Sequence, residues 1–182
     1  METRSKLITS VFAILLLGLL GTLLPASAQN YPSSQVLILQ TKANPTEPPI
    51  IEESDDDQTI FKVHPTGTVT GDLEGTFSQR ITQVVPSDTE LAINVLEPIA
   101  TFFTIETKEG VIEGYYSGAF YFQEGTYPDA NMQQRGQILS VTAAYADLYL
   151  AEVFFDSIVD FEEVDGSMIP LGDSGTLIIA PR

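Results

Sequence analysis

The chain has no cysteine, a single histidine and only eight lysines and arginines. Each scarcity narrows the chemistry. Without cysteine there are no disulfides, no thiolate nucleophile and no lipid attached through an N-terminal cysteine. One histidine and no cysteine argue against a structural or catalytic zinc site, and no metal site is expected. A serine triad would have to use His64, whose neighbours Val63 and Pro65 suggest a strand end instead. No Gly-x-Ser-x-Gly elbow and no phosphate loop occur, and Pro45 blocks the sequon-like Asn44-Pro45-Thr46. No residue is assigned a catalytic role, and no cofactor is expected. The shortage of bases stands against 25 acids. Binding to nucleic acid or to an anionic membrane surface is driven by basic contacts, so neither partner is expected.

Long apolar runs are also scarce, with one exception at the start. Arg4 and Lys6 precede LITSVFAILLLGLLGTLL (7–24), and Pro25-Ala26-Ser27-Ala28 follows. A basic start, an apolar middle and an Ala-x-Ala exit describe a secretory signal peptide over residues 1–28, cut between Ala28 and Gln29. An uncleaved anchor is the rival reading, since the run is nearly long enough to span a bilayer. The small-residue exit favours cleavage. Losing residues 1–28 removes Glu2, Arg4 and Lys6 and leaves 24 acids against six bases. The expectation is a protein of the extracellular space or of a bacterial periplasm or envelope, with its acidic surface serving solubility. A chain of that size can bury about 68–70% of its unfolded surface in one core.

Residues 29–58 read as an N-terminal arm and a Pro/acid-rich linker. Ser34–Thr41 can form one short strand. KANPTEPPIIEESDDDQ (42–58) combines prolines with clustered carboxylates and predicts an extended, mobile segment. SDDDQ lacks the alternating acids, glycine and distant glutamate of an EF-hand loop, so it reads as a solvated charge run.

From Thr59 to the end, at residue 182, the period is two. In GTVTGDLEGTFSQRITQVV (67–85), read as one long strand, the odd positions carry Val69, Gly71, Leu73, Gly75, Phe77, Gln79 and Ile81, while the even ones are almost wholly polar. IATFFTIET (99–107) leads to a Lys108-Glu109-Gly110 turn. In GVIEGYYSGAFYFQ (110–123), Ile112, Gly114, Tyr116, Gly118, Phe120 and Phe122 share a face. EGTYPDANMQQRG reads as a glycine-rich loop. In AEVFFDSIVDFE (151–162), Ala151, Val153, Phe155, Ser157, Val159 and Phe161 oppose Glu152, Asp156, Asp160 and Glu162. GTLIIAP closes the chain, and AAYADLYL (143–150) can form one helical turn.

This pattern predicts an all-β domain, residues 59–182, forming a single antiparallel β-barrel of about eight strands, with a β-sandwich as the alternative. Glycines recurring on the apolar face favour the barrel, because they remove bulk where strands coil tightly.

GTVTGDLEGTF, EGYYSGAFYF and GQILSVTAAYADLYLAEVFF together resemble the allene oxide cyclase-like and dirigent-like secreted barrels, which belong with the calycin-type architectures. Gly71-Asp72-Leu73-Glu74-Gly75 matches their early Gly-Asp-Leu-x-Gly segment. Val141–Ala146 has alanines where their later Gly-x-Gly-x-Tyr-Ala element has glycines. The resemblance covers about residues 59–180. It implies an eight-stranded, often trimeric barrel with a hydrophobic interior, and an activity such as epoxide cyclisation or steered phenol coupling. It carries no functional residue onto a position here.

The aromatic residues of the strands are mostly core by expectation. If the barrel is too wide for its side chains, Phe77, Tyr116 and Phe120 are the candidates to line a cavity for a small hydrophobic ligand. Arg80 lies on the polar face of its strand. It points to solvent and pairs with acids in a filled barrel, or to the lumen in an outer-membrane one. The glycine-rich odd face argues against the membrane form. The expected function is a binding or structural module, for a small hydrophobic ligand or a protein partner, with a homo-oligomer as an open option. The alternative is a cofactor-free isomerase or cyclase of the allene oxide cyclase-like type.

Overall fold

The computed structural model describes residues 35–54, 58–86, 99–122, 129–164 and 167–182. Alternation of period two gives ten strands: β1 Leu37–Pro45, β2 Ile50–Ser54, β3 Gln58–Val63, β4 Pro65–Gly71, β5 Gly75–Pro86, β6 Ile99–Glu106, β7 Val111–Phe122, β8 Ala130–Val141, β9 Glu152–Val164 and β10 Ser167–Ala180. They hydrogen-bond in the order β2-β3-β5-β4-β1-β10-β9-β8-β7-β6. A further β5–β6 pairing, Thr76↔Glu106 through Thr82↔Ala100, closes the ring. The protein is thus a closed antiparallel barrel of eight strands with β2 and β3 outside it. Closure leaves the barrel strands no free edge.

Three sequence readings change here. The stretch 67–85 is a hairpin, not one strand. Gly71 has φ of +112°, a conformation that side-chain-bearing residues rarely adopt, and the chain turns there between β4 and β5. The Asp72 carboxylate secures the turn by accepting from the Ile38 backbone N–H at 2.8 Å. Alternation survives the turn, so periodicity alone does not reveal it.

The arm and linker are also part of the architecture. β1 is a full barrel strand, paired with β4 and β10. Pro45 faces Pro65 across β1–β4. Neither has an N–H to give, and the ladder breaks there. Pairing resumes as β2 on β3, Ile50↔Lys62, with Lys62 on Glu52 at 2.7 Å. β3 and β4 lie end to end along β5 in one register, Val63↔Ile81 and Thr66↔Ser78. His64 sits exposed in the break between them, and its carbonyl accepts from the Thr46 hydroxyl. The third change is β8, which begins at Ala130, inside the segment read as a loop. The expected signal segment with Ala28 and Gln29, and all of ELAINVLEP (90–98), lie outside the described residues.

One end of the barrel is closed by the 3₁₀ helix Ala143–Leu148, which buries Tyr145 and Leu148. The Thr107 and Tyr145 hydroxyls hydrogen-bond at 2.5 Å and tie this helix to the β6–β7 turn. Glycine allows the tight coiling. A Cβ on Gly75 would stand 2.0 Å from the Glu106 carbonyl oxygen of the neighbouring strand. Gly75→Ala is therefore expected to cost roughly 1–3 kcal/mol by forcing β5 off β6. Thermal unfolding checks this, and an unchanged midpoint would contradict so close an approach.

Candidate functional site

The barrel interior is layered. Inward positions of β5, β6, β7 and β9 carry Phe77, Phe103, Tyr116 and Phe155, all essentially buried. The Tyr116 ring stacks between Phe103 at 5.1 Å and Phe155 at 5.0 Å, and Phe77 packs against both phenyl rings at 6.3 Å. This aromatic layer crosses the barrel. Toward the 3₁₀ helix the filling is aliphatic, with Leu39, Ile105, Ile112, Ile138, Leu177 and Ile179.

On the other side stands a belt of polar residues. Gln79 is two residues beyond Phe77, Thr101 two before Phe103, and Ser157 two beyond Phe155, each one inward step farther from the capped end. Gln134 of β8 and Asp173 of β10 join them, and all five are at least 94% buried. Beside and beyond these residues come Ala43 and Val159, which pair with Asp173, Met132, which pairs with Ser157, and Phe120 and Ala130; together they make an apolar outer zone.

Two of the five belt residues, Gln79 and Asp173, are internally satisfied. Tyr116 Oη donates to Gln79 Oε1 at 2.9 Å. Gln79 Nε2 donates to the Asp173 oxygens at 2.9 and 3.2 Å. The acceptor-only carboxylate fixes which way the amide faces. Burial pushes the Asp173 carboxyl up to about 6, against the lowering effect of the Gln79 bond and a backbone hydrogen bond; Asp160 adds a smaller upward push. Burial, and then the Asp173 charge, push the Tyr116 hydroxyl well above its ordinary range. The carboxyl therefore titrates within reach of neutral pH while the phenol stays protonated.

The other three are not satisfied. Thr101 Oγ1, Ser157 Oγ and both Gln134 side-chain atoms, Nε2 and Oε1, are buried and find no partner among the described residues. A buried polar atom left unmade costs roughly 1–3 kcal/mol. Native interiors meet such atoms with water or a ligand.

Of the ligand-lining candidates, Phe77 and Tyr116 belong to the same aromatic layer, where both touch Phe103 and Phe155. Phe120 stands apart in the outer zone, edge-on to Phe161 at 6.0 Å. Tyr116 alone of the three reaches the belt. The wider aromatic set is divided: Phe102, Tyr115, Tyr121 and Tyr149 are exposed rather than core. Arg80 points outward and lies over the Phe102 ring at 5.8 Å, a ring where an acid was expected. The belt residues Gln79, Thr101, Gln134, Ser157 and Asp173 were missed as site residues. Their one signal was polarity at positions whose parity faces inward, visible for Gln79 and Ser157. Among the described residues no three His, Asp or Glu side chains gather to hold a metal ion.

Comparison with known families, curated proteins and solved structures finds no match to this chain.

Proposed function

We propose that this protein is an exported, acidic barrel that holds one small, largely apolar molecule beyond its aromatic layer. The observation that carries the reading is the set of four unpartnered polar atoms on Thr101, Gln134 and Ser157, enclosed between aromatic rings and an apolar outer zone. Ligand sites have this composition: mostly apolar walls and a few convergent polar groups that fix orientation. The aromatic layer is the floor of the site, and Phe120 with Met132 is its wall.

A second reading, a cofactor-free isomerase or cyclase, draws on a different observation. Asp173 is a buried carboxyl poised near neutrality beside a protonated phenol, linked through Gln79. Such a group can take a proton from, or give one to, a substrate held by the barrel. The resemblance to allene oxide cyclase-like barrels agrees with both readings.

Mass spectrometry of the protein exported from its own host tests them together. Under native conditions the expected result is a chain, or an oligomer, carrying a small-molecule mass that is lost on denaturation. A bare chain would overturn the binding reading. Adding the released compound back to fresh protein separates binder from isomerase. A binder returns it unchanged; an isomerase returns the same mass at a new chromatographic position. The denatured mass also reports whether residues 1–28 have been removed.

A further inference from the structure

We infer that Gln134 is the specificity residue of the interior site, and that it reads a neutral head group presenting a hydrogen-bond donor and an acceptor side by side, as a carboxamide does. The inference rests on the binding reading above and adds the chemical class of the ligand.

Among the described residues two glutamines are buried in the interior, and they are not equivalent. Gln79 is committed at both ends, its oxygen to Tyr116 and its nitrogen to Asp173. Gln134 is free at both ends, though only 2% exposed. Its place in the register explains why no neighbour takes it. Across β7–β8 it faces Gly118, which has no side chain, and across β8–β9 it faces Phe155, which has no polar atom. Gly118 cannot be larger, since a Cβ there would meet the Gln133 carbonyl oxygen at 1.9 Å. β7 thus presents no side chain between Tyr116 and Phe120, at the position paired with Gln134.

The free amide selects by elimination. A carboxamide group offers two donors at Nε2 and an acceptor at Oε1. An anionic carboxylate has no hydrogen to give Oε1. An ammonium has no lone pair to give Nε2. A pure hydrocarbon leaves both unmade. A neutral head with a carbonyl beside an N–H or O–H satisfies both in a paired ring of two hydrogen bonds. The hydroxyls of Thr101 and Ser157 can donate or accept and so complete either side. Sites that hydrogen-bond a specific head reject analogues lacking it more strongly than sites that only bury a chain.

The test uses the full processed chain, stripped of any bound compound by refolding, with four probes of one chain length: hexanamide, hexylamine, hexanoate and hexane. Binding is followed by saturation-transfer NMR and calorimetry at pH 7.5. Hexanamide is expected to bind at least roughly tenfold tighter than the other three, the difference that one or two buried hydrogen bonds make. Gln134→Leu is expected to remove that preference and leave hexane binding equal or stronger. Thermal unfolding of the same variant confirms that it folds, and Gln134→Glu serves as a second variant that keeps the acceptor and loses the donor. Equal binding of all four probes would overturn the inference. So would an unchanged preference in Gln134→Leu. If no probe binds but the exported protein carries a ligand mass, the head class is wrong and the binding reading stands. If no probe binds and the exported chain is bare, the belt holds ordered water only and both fall.

Discussion

Truncating Phe155 to alanine is expected to cost the barrel about 3–5 kcal/mol, the range for removing a large aromatic from a core. Phe155 is 1% exposed and sits in the middle of the aromatic layer, stacked on Tyr116 and tilted against Phe77. Two ring contacts vanish with it, each worth about 0.5–1.5 kcal/mol beyond area. The void has little means of collapsing. β9 is hydrogen-bonded to β8 on one side and β10 on the other, so the wall cannot move in without breaking a ladder. Tyr116 loses one of its two stacking faces, and its hydroxyl is the donor to Gln79 Oε1. Denaturant unfolding at pH 7 measures the loss, with Phe155→Leu expected to lose less than half as much. A loss under about 1 kcal/mol would mean that the aromatic layer is loosely packed and does not form the floor of the site.

The second large effect is a gain. Asp173→Asn is expected to stabilise the protein by up to about 3 kcal/mol at pH 7 and by almost nothing at pH 4. The folded-state value is about 6, whereas the ordinary value is 3.8. Between those two values the folded chain holds a proton that the unfolded chain has released. Raising the pH through that window therefore lowers stability, and above about 6 the loss is complete. Asparagine cannot ionise, and its Oδ1 can still accept from Gln79 Nε2. Its own amide hydrogens need acceptors, which trims the gain. Unfolding free energies of both proteins from pH 4 to 8 check this, because the difference between the curves cancels the titration of the surface carboxylates. Parallel curves would place Asp173 in a more solvated setting than its burial implies. A buried carboxylate that weakens the fold at neutral pH is what a working acid or base in the site would look like.

Much of the wall was legible from parity. Val153, Phe155, Ser157, Val159 and Phe161 face inward, and Glu152, Asp156, Asp160 and Glu162 outward, as the alternation of β9 predicts. Ile112, Tyr116 and Phe120 of β7 are buried together in the same way. The site was legible only in fragments. Gln79 and Ser157 stood in apolar series as exceptions, and a single polar residue in such a series reads as a lapse in the pattern. Asp173 shares the inward parity of Leu177 and Ile179, but the register shift between Pro170 and Gly172 breaks the alternation just before it, so only a count back from the C-terminal end places it. Gln134 lies in a segment whose asparagine, glutamines and glycine read as loop.

The sequence by itself determined that the domain is all-β and two-sided, because a pleated strand puts successive side chains on opposite faces whatever its neighbours are. It also marked glycines such as Gly75 as places of tight coiling, whereas the turn at Gly71 emerged only from the structure. Only the tertiary structure decided which strands are neighbours. Closure of β5 onto β6 brings Gln79, Thr101, Gln134, Ser157 and Asp173, from five different strands, into one interior. Strand order and shear set which of them meet, and both are properties of the closed ring rather than of any segment. Whether a buried polar atom finds a partner depends on the residue facing it across the ring, and so Gln79 is held and Gln134 is free.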